Sequence, residues 1–405
     1  MKARKVVLVD AIRTAFGRAG EKGVFWNTRA DDMVVKVIRE LMRRNPQLKP
    51  EMVEENAWGV FCQEKDQGLT LGRTSVILSG LPETVAGYSI DRMCAGGMSA
   101  ITTAASAIAL GGCDVAIAGG VEHMGHHPMG ATADPNPRFL TDKLVDQSAM
   151  SMGMTAENLH DMFPEISKEM TDEYSMLCQQ KAAKAIQSGK IGEMIVPMTV
   201  YTKNGWVVAD KDEQPRPETT LEGLGKLKTP FRVMGKVTAG NSSGLNDGAA
   251  GCILMTAEKA EELGLQPKME LKAFAYAGVK PEIMGIGPIP ATHRALKNAG
   301  LTIDDIGLIE LNEAFAVQAI AFMNEFGLKF PDEPKMNIYG GAIAFGHPLA
   351  SSGVRLACHL MHGFKEHPEV KYGLTTMCVG LGQGGTVIWK NLQRDGKKES
   401  KDRKE

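Results

Sequence analysis

Cys94 stands where a short apolar strand runs into a helix-like segment. The strand-like stretch ends at Ile90, and a run of Ala, Ser, Thr and Ile follows as far as Leu110. A cysteine at such a junction lies at the positive end of the helix dipole, beside unpaired backbone N–H groups. That position favours the thiolate, so the pattern predicts a nucleophile. The alternative is a buried, inert thiol, because free Cys is among the most buried residue types.

His347 and Cys378 hold comparable positions in the second half of the chain. His347 lies in Gly346-His347-Pro348, where glycine allows close backbone approach and proline suits the first turn of a helix. Cys378 ends an apolar strand and enters a glycine-rich turn at Gly380. An imidazole and two thiols can supply a base, a nucleophile and a second proton carrier. Each of them could equally be an ordinary hydrogen-bonded or buried side chain.

A polar pair also follows the strand predicted from Ile306 to Leu311. Asn312 and Glu313 stand directly after it. Because α/β proteins bind ligands at the carboxyl ends of their strands, the pair is a further candidate for contact with a substrate.

Two other motifs suggest chemistry that their context argues against. The range Gly380–Gly385 fits the dinucleotide motif GxGxxG, but it leads into a short strand and a charged tail instead of opening a helix. His123, His126 and His127 fit no usual zinc spacing and have no cysteine close in sequence. We therefore expect no dinucleotide and no metal, and we expect the histidines to line a cleft from a loop.

The composition limits the class of protein. A chain of 405 residues is longer than one hydrophobic core usually spans, so two or three domains are expected. The net charge of −2 gives no electrostatic reason to expect a nucleic-acid or membrane surface. No apolar run is expected to reach the length of a membrane span. The seven scattered cysteines form no CxxC pair, which favours reduced thiols in the cytoplasm over disulfides.

A pattern of strand, glycine turn with a reactive residue, helix and strand occurs twice, around Cys94 and around His347. In the second copy, Met336 to Gly341 is predicted as the strand before the turn. Alternating strands and helices indicate βαβ units, so the repeat predicts two similar α/β domains. We expect four segments: a first domain of residues 1–120 plus 245–270, an inserted loop domain of 121–244, a second domain of 271–392 and a disordered charged tail of 393–405.

Five motifs, taken together and in this order, resemble the thiolase family. The resemblance extends from about residue 4 to residue 391. The motifs are Arg92-Met93-Cys94-Ala95-Gly96-Gly97-Met98-Ser99-Ala100, Gly119-Gly120-Val121-Glu122-His123-Met124, Asn312-Glu313-Ala314-Phe315, Gly340-Gly341-Ala342-Ile343-Ala344-Phe345-Gly346-His347-Pro348 and Cys378-Val379-Gly380-Leu381-Gly382.

The resemblance implies a fold of two similar α/β domains stacked in five αβαβα layers, with helices of both domains in the middle layer. It also implies that the inserted loop domain covers a coenzyme A site. Ser243 and Met152 would then lie along the tunnel for the pantetheine arm. Coenzyme A and acyl-CoA would be substrates, and no cofactor would be permanently bound.

The resemblance also assigns roles to the reactive residues. Cys94 would take up the acyl group as a thioester, His347 would activate it, and Cys378 would move a proton on coenzyme A or at the α-carbon of acetyl-CoA. Asn312 would hold a water that stabilises one oxyanion together with His347. The backbone N–H groups of Cys94 and Gly380 would stabilise the other. Such preorganised donors are worth about 3–4 kcal/mol each in comparable sites.

The chain departs from the common family pattern at small residues. Ala95 replaces a usual serine and is followed by a Gly-Gly pair, and Ala350 replaces a common glycine. No reactive atom is lost, so activity is expected, although rate or chain-length preference could differ.

The short segment from Glu122 to Met152 favours a degradative 3-ketoacyl-CoA thiolase of fatty-acid β-oxidation, because tetrameric biosynthetic relatives carry a longer loop there. A homodimer is expected, with a tetramer as the alternative, and a hydratase–dehydrogenase subunit is a candidate partner. The rival activities are biosynthesis of acetoacetyl-CoA and decarboxylating ketoacyl synthesis, where a His would replace Cys378. The rival from another class is a non-catalytic acyl-CoA-binding subunit, which would be expected to lose a reactive residue.

Overall fold

The computed structural model describes residues 3–131 and 133–394. The expected charged tail therefore lies outside the described residues from 395 onward. At its start, the side-chain amide of Gln393 donates a hydrogen bond to the carbonyl of Met361, 2.8 Å away.

Strands alternate with helices in both halves of the chain. The strands are β1 (Val6–Thr14), β2 (Gly17–Arg18), β3 (Glu55–Gly59), β4 (Ala86–Ile90), β5 (Val115–His123), β6 (Ile195–Val196), β7 (Met198–Thr202), β8 (Gly205–Ala209), β9 (Asn246–Thr256), β10 (Met269–Gly278), β11 (Ile306–Leu311), β12 (Tyr372–Val379) and β13 (Gln383–Asn391). The helices are α1 (Ala30–Arg44), α2 (Leu71–Ser79), α3 (Gly96–Leu110), α4 (Arg138–Thr141), α5 (Met152–Met162), α6 (Lys168–Gln187), α7 (Lys190–Met194), α8 (Leu221–Gly225), α9 (Ala257–Glu262), α10 (Pro288–Ala299), α11 (Ala316–Glu325), α12 (Ala342–Phe345) and α13 (Ser352–Glu366).

The two halves repeat one strand order. In the first half the order across the sheet is β4-β3-β5-β9-β1, with β9 antiparallel to its neighbours. In the second half the order is β11-β12-β13-β10, with β13 antiparallel to its neighbours. A parallel bridge from Ile309 to Met336 supplies the counterpart of β4. The predicted strand from Met336 to Gly341 is otherwise wrong, because it pairs only at its first residue.

The halves join edge to edge, because β1 pairs antiparallel with β10 at Val7 and Leu8. Buried apolar residues fill both halves, and along β1, β5 and β9 every residue is buried. A strand that is covered on both faces reads as a continuous apolar run, as in parallel sheets packed between helices.

The helices complete the layered arrangement. α3 and α13 pack on each other in the middle, α3 against β3, β5 and β9, and α13 against β1 and β9 as well as β11 and β12. α1 and α2 pack on strands of the first half, and α10 packs on β10, β12 and β13. Both central helices follow a turn that bears a predicted catalytic residue, Cys94 before α3 and His347 before α13.

One stretch has the length and composition of a membrane span, contrary to the sequence expectation. Within the described part of the chain it is the window Met93–Leu110, with mean hydropathy 1.5, of which 61 % is buried inside the protein. A mostly buried core helix passes the same test, and the Ala-rich α3 is packed between a sheet and α13.

The chain between β5 and β9 holds α4 to α8 and a separate two-stranded hairpin, β7–β8. The loop domain predicted over residues 121–244 begins within β5 and otherwise falls in this segment. One short strand of this segment, β6, pairs with β1 and so joins the main sheet.

Candidate active site

Cys94 lies in a 3₁₀ turn, Met93–Ala95, between β4 and α3. Met93 has a positive φ of 44°. Its backbone N–H donates a 2.6 Å hydrogen bond to the carboxylate of Asp91. This local bond holds a strained residue in place directly before the cysteine, which is typical of a site where geometry matters more than local stability.

Two backbone donors converge on the Cys94 sulfur. The N–H groups of Gly380 and of Cys94 itself donate toward it and lower its pKa. Burial has the larger effect and raises the pKa of the thiol to about 11, with a smaller contribution from the charges of Glu122 and Asp91. The expectation that the helix start favours a thiolate is therefore wrong, because desolvation outweighs the N–H groups. A base must remove the proton during the reaction.

The turn that bears His347 packs directly on the start of α3. The N–H of Gly97 donates a 2.9 Å hydrogen bond to the carbonyl of Ala350. A methyl group added at Gly96 would lie 2.9 Å from the Ala350 methyl, and one at Gly97 would lie 2.4 Å from the Ala350 oxygen. The Gly96-Gly97 pair therefore makes room for Ala350.

His347 is buried and held from both ring nitrogens. Its Nδ1 lies 2.5 Å from the Ser352 hydroxyl, which donates a 3.0 Å hydrogen bond to the carbonyl of Pro348. Ser352 must then accept from His347, which places the ring proton on Nδ1. On the other side, Nε2 lies 3.3 Å from Nδ2 of Asn312. Nε2 is thus left with a lone pair, as a base requires.

The electrostatic surroundings keep the imidazole neutral. Burial, and then the charge of Arg355, lower the pKa of His347 to about 3. The backbone of this turn is also fixed, because the His347 N–H donates a 3.1 Å hydrogen bond to the side-chain oxygen of Asn246. Gly346 has φ of +94°, and a methyl there would lie 2.2 Å from the same oxygen, so only glycine fits.

Cys378 is buried near the end of β12. Its thiol donates to the side-chain oxygen of Gln318, 3.5 Å away. Burial raises its pKa, as does the neighbouring Cys94. The Gln318 amide in turn donates a 3.1 Å hydrogen bond to the carbonyl of Asn312. Cys378 is therefore a protonated thiol next to the predicted nucleophile, in a position suited to a proton donor.

The residues predicted to contact coenzyme A fall at the edge of this cluster. A methyl group added at Gly380 would lie 2.9 Å from the sulfur of Met93 and 3.8 Å from that of Met152. Met152 begins α5 and is half-buried. Ser243 lies in a loop and is half-buried. Its backbone N–H donates a 2.9 Å hydrogen bond to the carbonyl of Ala314.

Matches to known families bear directly on this site. Residues 6–258 match the model described as "Thiolase, N-terminal domain", and residues 265–391 match "Thiolase, C-terminal domain".

The chain belongs to the thiolase family.

Two similar proteins are named 3-ketoacyl-CoA thiolase. The one from Photobacterium profundum is 44 % identical over 389 residues, which is 96 % of this chain and 99 % of that protein. The one from Stutzerimonas stutzeri is 45 % identical over 394 residues, 97 % of this chain and 100 % of that protein.

Two solved structures confirm the predicted fold of two thiolase domains. Bacillus anthracis acetyl-CoA acetyltransferase matches with a TM-score of 0.86 at 37 % identity. Human mitochondrial 3-ketoacyl-CoA thiolase matches with a TM-score of 0.86 at 34 % identity. Each alignment covers 96 % of this chain and 99 % of the other.

The histidine cluster of this thiolase is explained by contacts within the protein. His126 stacks on His123 at 3.7 Å between ring centroids, and His127 Nε2 lies 2.5 Å from a carboxylate oxygen of Asp66. His126 and Asp66 line an open cleft with Trp26. Among the described residues, no group of three or more His, Cys, Asp or Glu side chains could hold a metal ion.

Sequence reasoning missed several residues that hold the site together. Ser352, Gln318 and Arg355 contact the predicted catalytic residues, but each lies in a helix with no motif that singles it out. Glu122 was quoted only as part of a motif. It is buried and accepts hydrogen bonds from backbone N–H groups of both halves, at Phe61, Cys62 and Ala350.

Proposed function

We propose that this thiolase cleaves 3-ketoacyl-CoA with coenzyme A, giving acetyl-CoA and a shortened acyl-CoA, as in fatty-acid β-oxidation. The names of the two relatives at 44 % and 45 % identity support this substrate. The single observation that carries the chemistry is the buried His347 ring, whose Nδ1 lies 2.5 Å from a Ser352 hydroxyl that donates to Pro348, so that Nε2 is the unprotonated nitrogen.

In the first step the Cys94 sulfur attacks the ketone carbon while His347 Nε2 takes the thiol proton. The ketone oxygen becomes an alkoxide, for which the N–H groups of Cys94 and Gly380 are the proposed donors. The same two groups lower the pKa of the Cys94 thiol, which supports their place beside the sulfur. The tautomer fixed by Ser352 supports the role of His347, because its Nε2 carries the lone pair.

In the second step the bond between the α- and β-carbons breaks. The acyl group stays on Cys94 as a thioester, and acetyl-CoA leaves as an enolate. The proposed donors to the enolate oxygen are the Nε2–H formed in the first step and the Asn312 amide. The amide donates either directly or through the expected water. Cys378 gives its proton to the α-carbon, which its position beside Cys94 supports.

In the last step a coenzyme A thiol gives its proton to the Cys378 thiolate and attacks the thioester. The new acyl-CoA leaves, and His347 returns its proton to Cys94. Thioester exchange between two sulfurs changes the energy little, so this acyl transfer is readily reversible. Coenzyme A is a substrate here, and Ser243 and Met152 are the proposed contacts for its pantetheine arm.

A thiolysis assay over a series of 3-ketoacyl-CoA chain lengths tests this function. We expect coenzyme A-dependent cleavage of substrates longer than four carbons. Activity limited to the four-carbon substrate would favour the biosynthetic acetyltransferase instead. Binding of acyl-CoA with no turnover of any substrate would favour a non-catalytic subunit. Release of carbon dioxide from a malonyl thioester would identify a ketoacyl synthase, which Cys378 argues against.

We also propose a homodimer that forms through the β4 edge. Within the described chain β4 pairs only with β3, so its other edge is free, and α2 packs beside it. The neighbouring side chains of Leu69, Ile77 and Leu78 are 86 %, 59 % and 47 % exposed. An unpaired edge flanked by exposed apolar residues is the usual basis of strand pairing between chains.

Light scattering tests the dimer. We expect twice the mass of one chain for the wild type and a shift to monomer for Ile77→Asp. Trp206→Asp is the matched control, because Trp206 is also exposed but lies on the β7–β8 hairpin. A monomeric wild type, a dimeric Ile77→Asp protein or a tetramer would contradict the proposal in this form.

A cytoplasmic location and a hydratase–dehydrogenase partner remain parts of the same proposal. All seven cysteines, which lie in the described chain, are free thiols, as expected in a reducing compartment.

A further inference from the structure

A buried arginine lies directly behind the predicted catalytic pair Asn312 and His347. Arg355 is in the first turn of α13 and is fully buried. Its Nη2 donates a 3.0 Å hydrogen bond to Oδ1 of Asn312. Its Nε and Nη1 have no hydrogen-bond partner within residues 3–131 and 133–394. Burying a guanidinium for one hydrogen bond is costly, so a role beyond packing is worth seeking.

The bond from Arg355 determines which way the Asn312 amide faces. A guanidinium can only donate, so it selects the oxygen of the amide and leaves the NH₂ group toward His347. With the amide reversed, its oxygen would face Nε2 and would favour a proton there. That is the tautomer that cannot act as a base toward Cys94. The Ser352 bond fixes the imidazole from the other side, at Nδ1.

We propose that Arg355 is a positioning residue that, through Asn312, keeps Nε2 of His347 unprotonated, so that this nitrogen can accept the Cys94 proton. This rests on the proposed function, since it assigns a role in the same site. Arg355 does not contact the reacting atoms in this arrangement. It acts through the orientation of the Asn312 amide, whereas its charge works in the opposite direction, because it lowers the pKa of His347.

Several titratable groups surround Arg355. Burial lowers the pKa of Arg355, and Arg13 of β1 adds to this effect. Glu310 of β11, Glu313, and Cys178 of α6 favour its charged form. His359 of α13 faces the same cluster, and its Nδ1 lies 3.6 Å from Glu310. Burial raises the pKa of Glu310 itself to about 8, so Glu310 is not a full counter-charge to Arg355 at neutral pH.

The first experiment measures the rate of alkylation of Cys94 by iodoacetamide against pH, in the absence of any acyl-CoA. We expect Arg355→Gln to lower the rate near neutral pH by about 10–100-fold, taking as the scale the cost of losing a group that orients a metal-binding side chain. Arg355→Lys, which keeps the charge and one donor, should recover part of that loss. Arg13→Lys is the matched control, since Arg13 is equally buried but pairs with Asp212.

The second experiment is a double-mutant cycle on kcat for thiolysis. If Arg355 acts through Asn312, Arg355→Gln combined with Asn312→Ala should be no worse than Asn312→Ala alone, within about threefold. Additive losses would overturn the proposal, as would an alkylation profile of Arg355→Gln that matches the wild type or is reproduced by Arg13→Lys. If Arg355→Gln does not fold, the same cycle with Arg355→Lys decides by the same criterion. A wild type without thiolysis would contradict the proposed function, whereas the alkylation profiles would still test Arg355.

Discussion

In the first half of this thiolase one strand end carries a predicted catalytic side chain, whereas in the second half three strand ends do. Cys94 follows β4, the edge strand. In the second half Asn312 follows β11, His347 follows the bridge at Met336 and the short α12, and Cys378 is the second-last residue of β12. Since the strand order is the same, the topology offers equivalent positions in both halves, and only their side chains differ.

The counterpart of Cys378 in the first half is Glu122, the second-last residue of β5 as Cys378 is of β12. Glu122 accepts four hydrogen bonds, one of them from the Ala350 N–H of the other half. The first half thus supplies the nucleophile and a framework, while the second supplies proton transfer. Cys94 is half-buried and His347 almost wholly buried, which suits a sulfur that must meet an acyl group and a base that must not move.

His347→Asn should have the largest effect on catalysis, because it removes the base that the second half supplies. Asparagine keeps a donor of similar size but cannot take a proton, so acylation of Cys94 should slow by about 10⁴, the upper end for a positioned base. Coenzyme A binding should be almost unchanged. The measurement is single-turnover acylation, with Cys94 alkylation against pH beside it. An unchanged alkylation profile would mean that the two halves are not coupled as described.

Cys378→Ala should reduce thiolysis by roughly 10²–10⁴ and leave the protein soluble and able to bind coenzyme A. The alkylation of Cys94 should keep its pH dependence, apart from a small rise in rate, because the neighbouring thiol does not supply the base. Steady-state thiolysis and alkylation rates check this pair of outcomes. Near-normal turnover would return Cys378 to a packing role.

The sequence singles out the reactive residues because a buried strand followed by a glycine turn is a local pattern, and their catalytic roles stay predictions. It fails where tertiary contacts decide. Burial raises the pKa of Cys94 to about 11, although the start of a helix favours the thiolate, and no local sequence pattern reports burial. Likewise the strand predicted from Met336 ends at once, because the Asn337 side chain takes over the pairing, accepting from the N–H of Leu311 and donating to its carbonyl. Three residues contribute only through side-chain contacts that a local motif does not show. Arg355 and Gln318 contact residues distant in sequence, and Ser352 contacts His347 one helical turn away.

The contact between the two catalytic turns gives a smaller, structural test. Gly96→Ala should destabilise the protein by about 1–3 kcal/mol, the usual cost of overpacking, because its methyl would meet that of Ala350. Ala350→Gly should recover part of that loss in the double variant. Gly97→Ala is the matched control, since its methyl would meet the Ala350 backbone oxygen, which Ala350→Gly leaves in place. Urea unfolding measures each variant, and equal recovery in both pairs would refute the contact.

The central claim is that the acyl group is carried on Cys94, and mass spectrometry after incubation with 3-ketoacyl-CoA in the absence of free coenzyme A tests it most directly. Trypsin should release the peptide from Met93 to Arg138, which also contains Cys113, so fragment ions must locate the adduct. We predict one acyl group per chain, on Cys94, and none on Cys94→Ser. An adduct on Cys113 or Cys378, or undiminished labelling of Cys94→Ser, would contradict the account.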